Sequence, residues 1–335
     1  MAVKTKEKPA AAKTGEPIPE TMLAAACDRF GGPEVLSLHK LKLPELDRGE
    51  VLIELDTSGV GIWDAEMRAG EFQPEGMSFP LVPGTDGSGR IVALGSNVRR
   101  FRVGDQVYAY SFGNPKGGFY ARYVAVGAEK VSVIPKNLDL QEAGAIGTTG
   151  LTALQGVDDV LKLRRDESVI VHGASGGVGT LAVQFAKWRG ARVLATASGE
   201  DGQAVASRLG ADITVDGRLG DIPGAARAFA PDGIDAVLAF TGGDSLERCL
   251  DALKPGGRAA WPNGVDPVPE KHKGIRLLSY DAVPGVREFD ALNRAVEASR
   301  LQVPIAARFA LAQAAEAHRR IEQGHVLGKI VLRLA

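Results

Sequence analysis

The segment Ser168-Val-Ile-Val-His-Gly-Ala-Ser-Gly-Gly-Val-Gly-Thr180 constrains this chain more than any other. Val169, Ile170 and Val171 form an apolar β-branched run of the kind buried on both faces of a parallel sheet. A glycine cluster follows, and then Val178, Leu181, Ala182 and Phe185 recur at the spacing of one apolar helix face. Strand, glycine turn and helix in that order make a phosphate cradle. Small residues let the backbone approach a pyrophosphate, and the helix amino end offers unpaired N–H groups with positive partial charge. Against the pattern G-x-G-x-x-G, Ala174 takes the first glycine position, followed by Gly176 and Gly179, with Ser175, Gly177 and Val178 between them. The expected ligand is a dinucleotide; a purely structural strand-to-helix turn is the alternative.

The end of the next strand selects the cofactor. A site for NAD usually places a carboxylate there to bond the ribose 2′-hydroxyl. Here Arg192-Val-Leu-Ala-Thr196 runs into Ala197-Ser198-Gly199, and Glu200 and Asp201 come slightly late. A small hydroxyl-bearing loop leaves room for a 2′-phosphate, to which Ser198 can donate. Arg218, past a third strand at Ile213–Val215, either supplies the matching charge or is a solvated surface arginine. The expected cofactor is NADPH.

Composition narrows the class. The chain has 335 residues, 44% hydrophobic and 24% charged, with a formal net charge of −1, enough for two cores. That balance gives no electrostatic case for nucleic acid. Cys27 and Cys249 are too few for a disulfide framework and lack C-x-x-C spacing. No apolar run approaches the ~20 residues of a membrane helix. Residues 1–21 read as a disordered tail with neither a secretory nor a transit signature, so a cytoplasmic protein is expected.

The pattern changes along the chain. Residues 22–145 are short strands broken by glycine and proline, clearest at Val51–Leu55, Gly89–Leu94 and Gln106–Tyr110. Residues 146–284 alternate strand and helix as in a doubly wound parallel sheet. The strands fall at Val169–Val171, Val193–Thr196, Ile213–Val215, Ala236–Phe240, Ala259–Trp261 and Ile275–Tyr280. Lys254-Pro255-Gly256-Gly257 reads as a helix stop with a turn. Residues 285–335 read as two helices and a closing apolar strand that returns to the first domain.

These features resemble the medium-chain dehydrogenase/reductase superfamily, and within it the zinc-independent quinone oxidoreductases related to zeta-crystallin. The likeness runs from about Met22 to the C-terminus. Its most specific part is Asp166-Glu167 leading to Gly176-Gly177-Val178-Gly179, then Gln184 and Lys187, with Ile170 where a leucine is usual. Phe30-Gly-Gly-Pro-Glu-Val-Leu36, Pro83-Gly-Thr-Asp-Gly-Ser-Gly89 and Gly150-Leu-Thr-Ala153 also look like segments of that family, the last as the helix start beside the nicotinamide. The resemblance implies an α/β chain: a GroES-like β-rich domain plus a Rossmann domain. It implies that Phe240, Thr241 and Gly242, with Asn263 and Gly264, border the nicotinamide ribose and ring. It also implies that Lys329 of the closing Gly-Lys motif faces the cofactor cleft.

Zinc alcohol dehydrogenases of the superfamily carry a catalytic cysteine and a Gly-His-Glu. By alignment of Gly59-Val-Gly-Ile-Trp-Asp64 and Pro83-Gly-Thr-Asp86, those positions hold Gly61, Thr85 and Asp86. Glycine has no donor atom and threonine is not a usual zinc ligand, so no metal is expected. The accessible chemistry is hydride delivery to an electron-poor small-molecule acceptor, a quinone or an alkene conjugated to a carbonyl. Relatives commonly have asparagine at 61 and tyrosines at 66 and 72, so Gly61, Glu66 and Phe72 alter the acceptor pocket. Asp64 and Thr152 keep the family's residues and are the candidate catalytic positions. Trp63 walls the pocket or packs the core. Two alternatives remain: a metal-free reductase of another activated double bond or carbonyl, and a non-catalytic structural or RNA-binding protein stabilised by NADPH. Finally, Gly274–Tyr280 reads as an aliphatic edge strand with few charges (Lys271 and Lys273 before it, Arg276 within), which relatives pair across a two-fold axis. A homodimer is expected.

Overall fold

A computed structural model describes residues 17–73, 76–270 and 272–334; residues 1–16 of the expected tail, and Lys271, lie outside them. The α/β architecture has two parts. Six parallel strands form one sheet in the order Ile213–Asp216, Arg192–Ala197, Ser168–His172, Ile234–Ala239, Leu253–Pro262 and Arg276–Tyr280. Numbered along the chain, this is the 3-2-1-4-5-6 order of a Rossmann sheet. Its strand order reverses between Ser168–His172 and Ile234–Ala239, where such sheets bind ligands beyond the strand carboxyl ends. The central strand is buried at every residue, as its uninterrupted apolar run requires. The helix Gly177–Trp188 buries Leu181, Ala182 and Phe185 against it. Phe185 alone, fully buried, contributes roughly 2–3 kcal/mol.

The GroES-like part is a seven-stranded sheet. Its path runs Ile305–Ala310, Lys329–Arg333, Glu50–Val60, Asp86–Leu94, Gln106–Tyr110 and Val131–Val133, with Tyr123–Gly127 also on Glu50–Val60. Thr21–Ala26 and Ser37–Lys42 form a separate hairpin. The downstream strand Lys329–Arg333 lies antiparallel to Glu50–Val60, pairing Ile330 with Val60. The return of the chain to its first domain is therefore a strand inserted into that domain's sheet.

Three readings need correction. Lys254–Gly257 does not stop a helix: the helix Asp244–Leu250 has already ended, and these residues lie within the span Leu253–Pro262. Ile234 pairs with Leu253 and Ala236 with Arg258, so the four residues loop out of the ladder. There Pro255 forfeits no ladder bond, and Gly256 takes φ +80°. Gly150-Leu-Thr-Ala153 is not a helix start but the interior of a helix spanning Gly147–Gln155. Gly150 is small because a Cβ there would lie 3.2 Å from the Leu292 side chain. The strand Ile305–Ala310 was absent from the sequence reading, since exposed Ala306 and Ala310 blur its alternation.

The strand Arg276–Tyr280 does stand at the edge of the parallel sheet. Among the described residues, no helix is long and apolar enough to cross a membrane.

Candidate cofactor and active site

The cradle sits where the strand order reverses. After His172 the chain turns at Gly173, whose φ of +80° only glycine adopts without strain. The sharp turn therefore falls one residue before Ala174, the position read as the first glycine of the fingerprint. Gly176 caps the helix, and a Cβ there would meet nothing nearer than the Gly173 carbonyl at 3.6 Å. Gly179 is the reverse case: a Cβ would lie 2.2 Å from the same carbonyl, so this glycine lets helix and turn pack together. The amides of Gly177, Val178 and Gly179 have no acceptor among the described residues. An open glycine face beneath three unpaired amides fits a pyrophosphate. The Ser175 carbonyl faces the other way and accepts from Gly328 at 2.9 Å, joining cradle to return segment.

At the adenosine end, Ser198 occupies the capping position of the helix Gly199–Arg208 but makes no capping bond. Arg218 is exposed on the loop after Ile213–Asp216. The sequence reading missed Asp216 between them. Its carboxylate accepts the amides of Gly199 (2.9 Å), Arg218 (2.8 Å) and Leu219 (2.8 Å). Those bonds, Leu219's first, hold it below the usual carboxylate range. The signal was available: aspartate followed by glycine at a strand end is an Asx-turn pattern.

Phe240 and Thr241 follow the strand Ile234–Ala239, and a Cβ on Gly173 would touch both, at 3.5 and 3.4 Å. A Cβ on Gly242 would instead strike the Pro267 carbonyl at 2.5 Å, so this glycine closes a loop. Asn263 and Gly264 are exposed after the fifth strand, the Asn263 amide bonded to Asp281 at 2.8 Å.

The GroES-like side of the cleft is built by the helices Ile62–Ala69 and Gly147–Gln155 and by Lys329. Lys329 is 5% exposed; its ammonium lies 4.7 Å from the centre of the Trp63 ring. Its Cδ stands 3.4 Å from where a Gly177 side chain would begin, so it borders the cradle. Trp63 Nε1 donates to Thr85 Oγ1 at 2.8 Å, and that hydroxyl also contacts Thr148 Oγ1 at 3.2 Å. The Asp86 carboxylate accepts the Thr148 amide at 2.8 Å, while its other oxygen is buried with no partner. The three positions aligned with zinc ligands thus hold a bare glycine, a threonine engaged with neighbours and a carboxylate tied to a helix start. Among the described residues no group of three or more His, Cys, Asp or Glu is placed to hold a metal ion.

Asp64 is wholly buried. Its Oδ2 accepts the Gly61 amide at 2.8 Å and the Tyr120 hydroxyl at 3.3 Å; its Oδ1 has no partner. Burial pushes the carboxyl up to about 7, against the opposing pull of the Gly61 amide and Lys329. In this conformation Asp64 positions the helix start that carries Trp63 and does not face the cleft. The Thr152 hydroxyl donates to the Thr148 carbonyl at 2.8 Å, within its own helix. Glu66 is half-buried, and burial raises its carboxyl.

Residues 47–136 match the alcohol dehydrogenase GroES-like domain family, and residues 209–332 match the family described as zinc-binding dehydrogenase. The quinone oxidoreductase of Lama guanicoe is 32% identical over 93% of this chain and 98% of its own. A solved NAD-dependent alcohol dehydrogenase is 33% identical with a TM-score of 0.87, covering 94% of this chain and all of that one. A mycobacterial protein solved in complex with NADPH is 26% identical with a TM-score of 0.84, covering 93% of this chain and all of that one. An oxidoreductase fold with quinone oxidoreductases among its relatives, and a dinucleotide cradle at its switch point, places the chain: it belongs to the medium-chain dehydrogenase/reductase superfamily.

Proposed function

We propose that the protein is an NADPH-dependent reductase of quinones or α,β-unsaturated carbonyls that works without a catalytic metal. The observation that carries this is the pairing of a complete cradle with Gly61 and Thr85 at the superfamily's ligand positions. The amides of Gly177, Val178 and Gly179 would hold the pyrophosphate, Ser198 and Arg218 the adenosine end, and Phe240, Thr241 and Gly242 the nicotinamide half. NADPH supplies a hydride, which suits an acceptor whose own carbonyl draws the charge to oxygen. The protein contributes orientation and water exclusion at the inter-domain cleft. Lys329 places a cation beside that cleft, and Trp63 supplies an aromatic wall.

NADPH should be consumed with 9,10-phenanthrenequinone or an enone after exhaustive dialysis against EDTA. Loss of the rate with EDTA and its return with zinc would overturn the metal-free reading. Absence of turnover with every quinone and enone would overturn the acceptor class and favour a non-catalytic role. In fluorescence titrations NADPH should bind at least about tenfold tighter than NADH, near 1.4 kcal/mol. Equal or reversed affinities refute the cofactor choice.

The same reading makes the protein a homodimer through the edge strand Arg276–Tyr280, paired antiparallel with its copy. Light scattering should give twice the 35.2 kDa chain mass at micromolar concentration, and Leu277→Pro should yield monomer or aggregate. A wild-type mass of one chain would end that proposal.

A further inference from the structure

We propose that His325, carried across the cleft on the return segment, selects for a phosphate at the cofactor's adenosine 2′-position, with Asp201 as its partner when that phosphate is absent. This rests on the dinucleotide reading above. His325 Nε2 lies 2.9 Å from Asp201 Oδ2. Asp201 belongs to the first turn of the helix Gly199–Arg208, immediately after the strand end that discriminates ribose hydroxyl from phosphate. A Cβ on Gly199 would stand 3.6 Å from His325 Cε1, so the imidazole lies over that strand end. The neighbouring helix residue Gly202 faces Ser175, a Cβ there meeting its Oγ at 3.3 Å. Cradle, selector strand and His325 therefore share one corner of the cleft.

The backbone of His325 is held for this task. Its φ is +47°, a left-handed conformation that costs a residue other than glycine on the order of 1 kcal/mol. The Arg320 guanidinium donates to the carbonyls of Gly324 (2.9 Å) and His325 (3.0 Å). At the far end of the loop, Gly328 donates to Ser175. A strained residue gripped at both flanks is over-determined in position, whereas its side chain remains solvent-accessible.

The chemistry follows from which carboxylates are free. Asp216 is committed to three backbone amides, two on Oδ1 and one on Oδ2. Asp201 is the remaining acid within the helix start besides exposed Glu200. Unpaired, Asp201 would repel a phosphate and welcome a hydroxyl. When a phosphate enters, the same Nε2–H can turn from Asp201 to a phosphate oxygen and stand between the two anions, with Ser198 beside it and the exposed Arg218 tied to the same strand end through Asp216. The pair thus holds two opposite preferences in one contact.

The test uses the full chain and isolates the adenosine end. Wild type, His325→Ala and Asp201→Asn are titrated calorimetrically with 2′,5′-ADP, 5′-AMP, NADPH and NADH. His325→Ala should weaken 2′,5′-ADP and NADPH by about tenfold or more while changing 5′-AMP and NADH less than about twofold. Asp201→Asn should leave 2′,5′-ADP as tight or tighter and weaken NADH. Equal losses for both probes in His325→Ala would make the pair a structural latch and overturn the proposal, as would unchanged 2′,5′-ADP affinity. If wild type binds neither NADPH nor NADH, the dinucleotide reading itself fails, an outcome separate from the failure of His325 alone.

Discussion

Gly177→Asp should abolish dinucleotide binding, by at least about a hundredfold in affinity, while the chain still folds. The Cβ itself is tolerated, since it would meet Gly328 O and Lys329 Cδ at 3.4 Å and Thr149 Cγ2 at 3.7 Å. The carboxylate beyond it is not, because it brings a negative charge to the amides that must face a pyrophosphate. Folding survives because residue 177 opens the helix Gly177–Trp188, where an acidic side chain suits the helix dipole. Gly177→Ala is the control and should bind within a few-fold of wild type. Titration by cofactor fluorescence, with a circular dichroism melt of each variant, decides it. Normal binding by Gly177→Asp would move the dinucleotide away from this cradle.

Arg68→Ala should cost about 2–3 kcal/mol of stability, because it leaves the Gly31 carbonyl and His318 Nδ1 without their donor while the one-third-exposed Glu322 regains water. Arg68 is 3% exposed, and its guanidinium donates to Glu322 Oε1 (2.7 Å) and the Gly31 carbonyl (3.0 Å), and lies 3.3 Å from His318 Nδ1. Arginine only donates, so His318 Nδ1 accepts and its proton sits on Nε2. That Nε2 lies 3.1 Å from the Tyr120 oxygen, and Tyr120 in turn donates to Asp64. Three buried side chains thus point their donors in one direction, ending on the Asp64 carboxylate under the cleft. Urea denaturation checks the cost, and a loss under about 1 kcal/mol would mean that the pair is exchanged for water.

Two buried histidines and Asp64 set a pH dependence. Burial, then Arg68, lowers His318 to about 3, and burial, then Arg248, lowers His172 to about 4. Between those values and the ordinary 6.5 the unfolded chain binds more protons, so stability rises with pH and is lost as pH falls through the window. His318 contributes on the order of 5 kcal/mol and His172 on the order of 3 kcal/mol. Asp64 opposes them: its folded value of about 7 lies above the unfolded 3.8, so its contribution declines as pH rises from 4 to 7. His318→Gln should flatten the fall in melting temperature between pH 6.5 and 4.

The Rossmann half was readable because its signals are local. An apolar strand, a glycine turn and a helix stripe lie within one short stretch, and the central strand is buried at every residue. Errors arose where one residue type serves two purposes. Gly173 rather than Ala174 turns the chain, although only the glycines after it match the fingerprint spacing. Pro255 and Gly256 look like a helix stop and instead loop out of a sheet. The polar chain from Glu322 through Arg68, His318 and Tyr120 to Asp64 was invisible. Its members come from three distant segments, and nothing in the spacing of a lone histidine announces that an arginine fixes its tautomer. Asp64 was identified by family position, whereas its sealed placement needed the structure.

The insertion of Lys329–Arg333 beside Glu50–Val60 has a consequence for the order of assembly. Every strand of the parallel sheet lies between Ser168 and Tyr280, so that unit can close as soon as it is synthesised. The seven-stranded sheet cannot. Its interior strand is translated after the whole dinucleotide-binding unit, and until then Thr57 to Val60 present an unpaired strand edge. The half of the molecule made first is therefore finished last, and during that interval its exposed edge is open to any strand that offers itself.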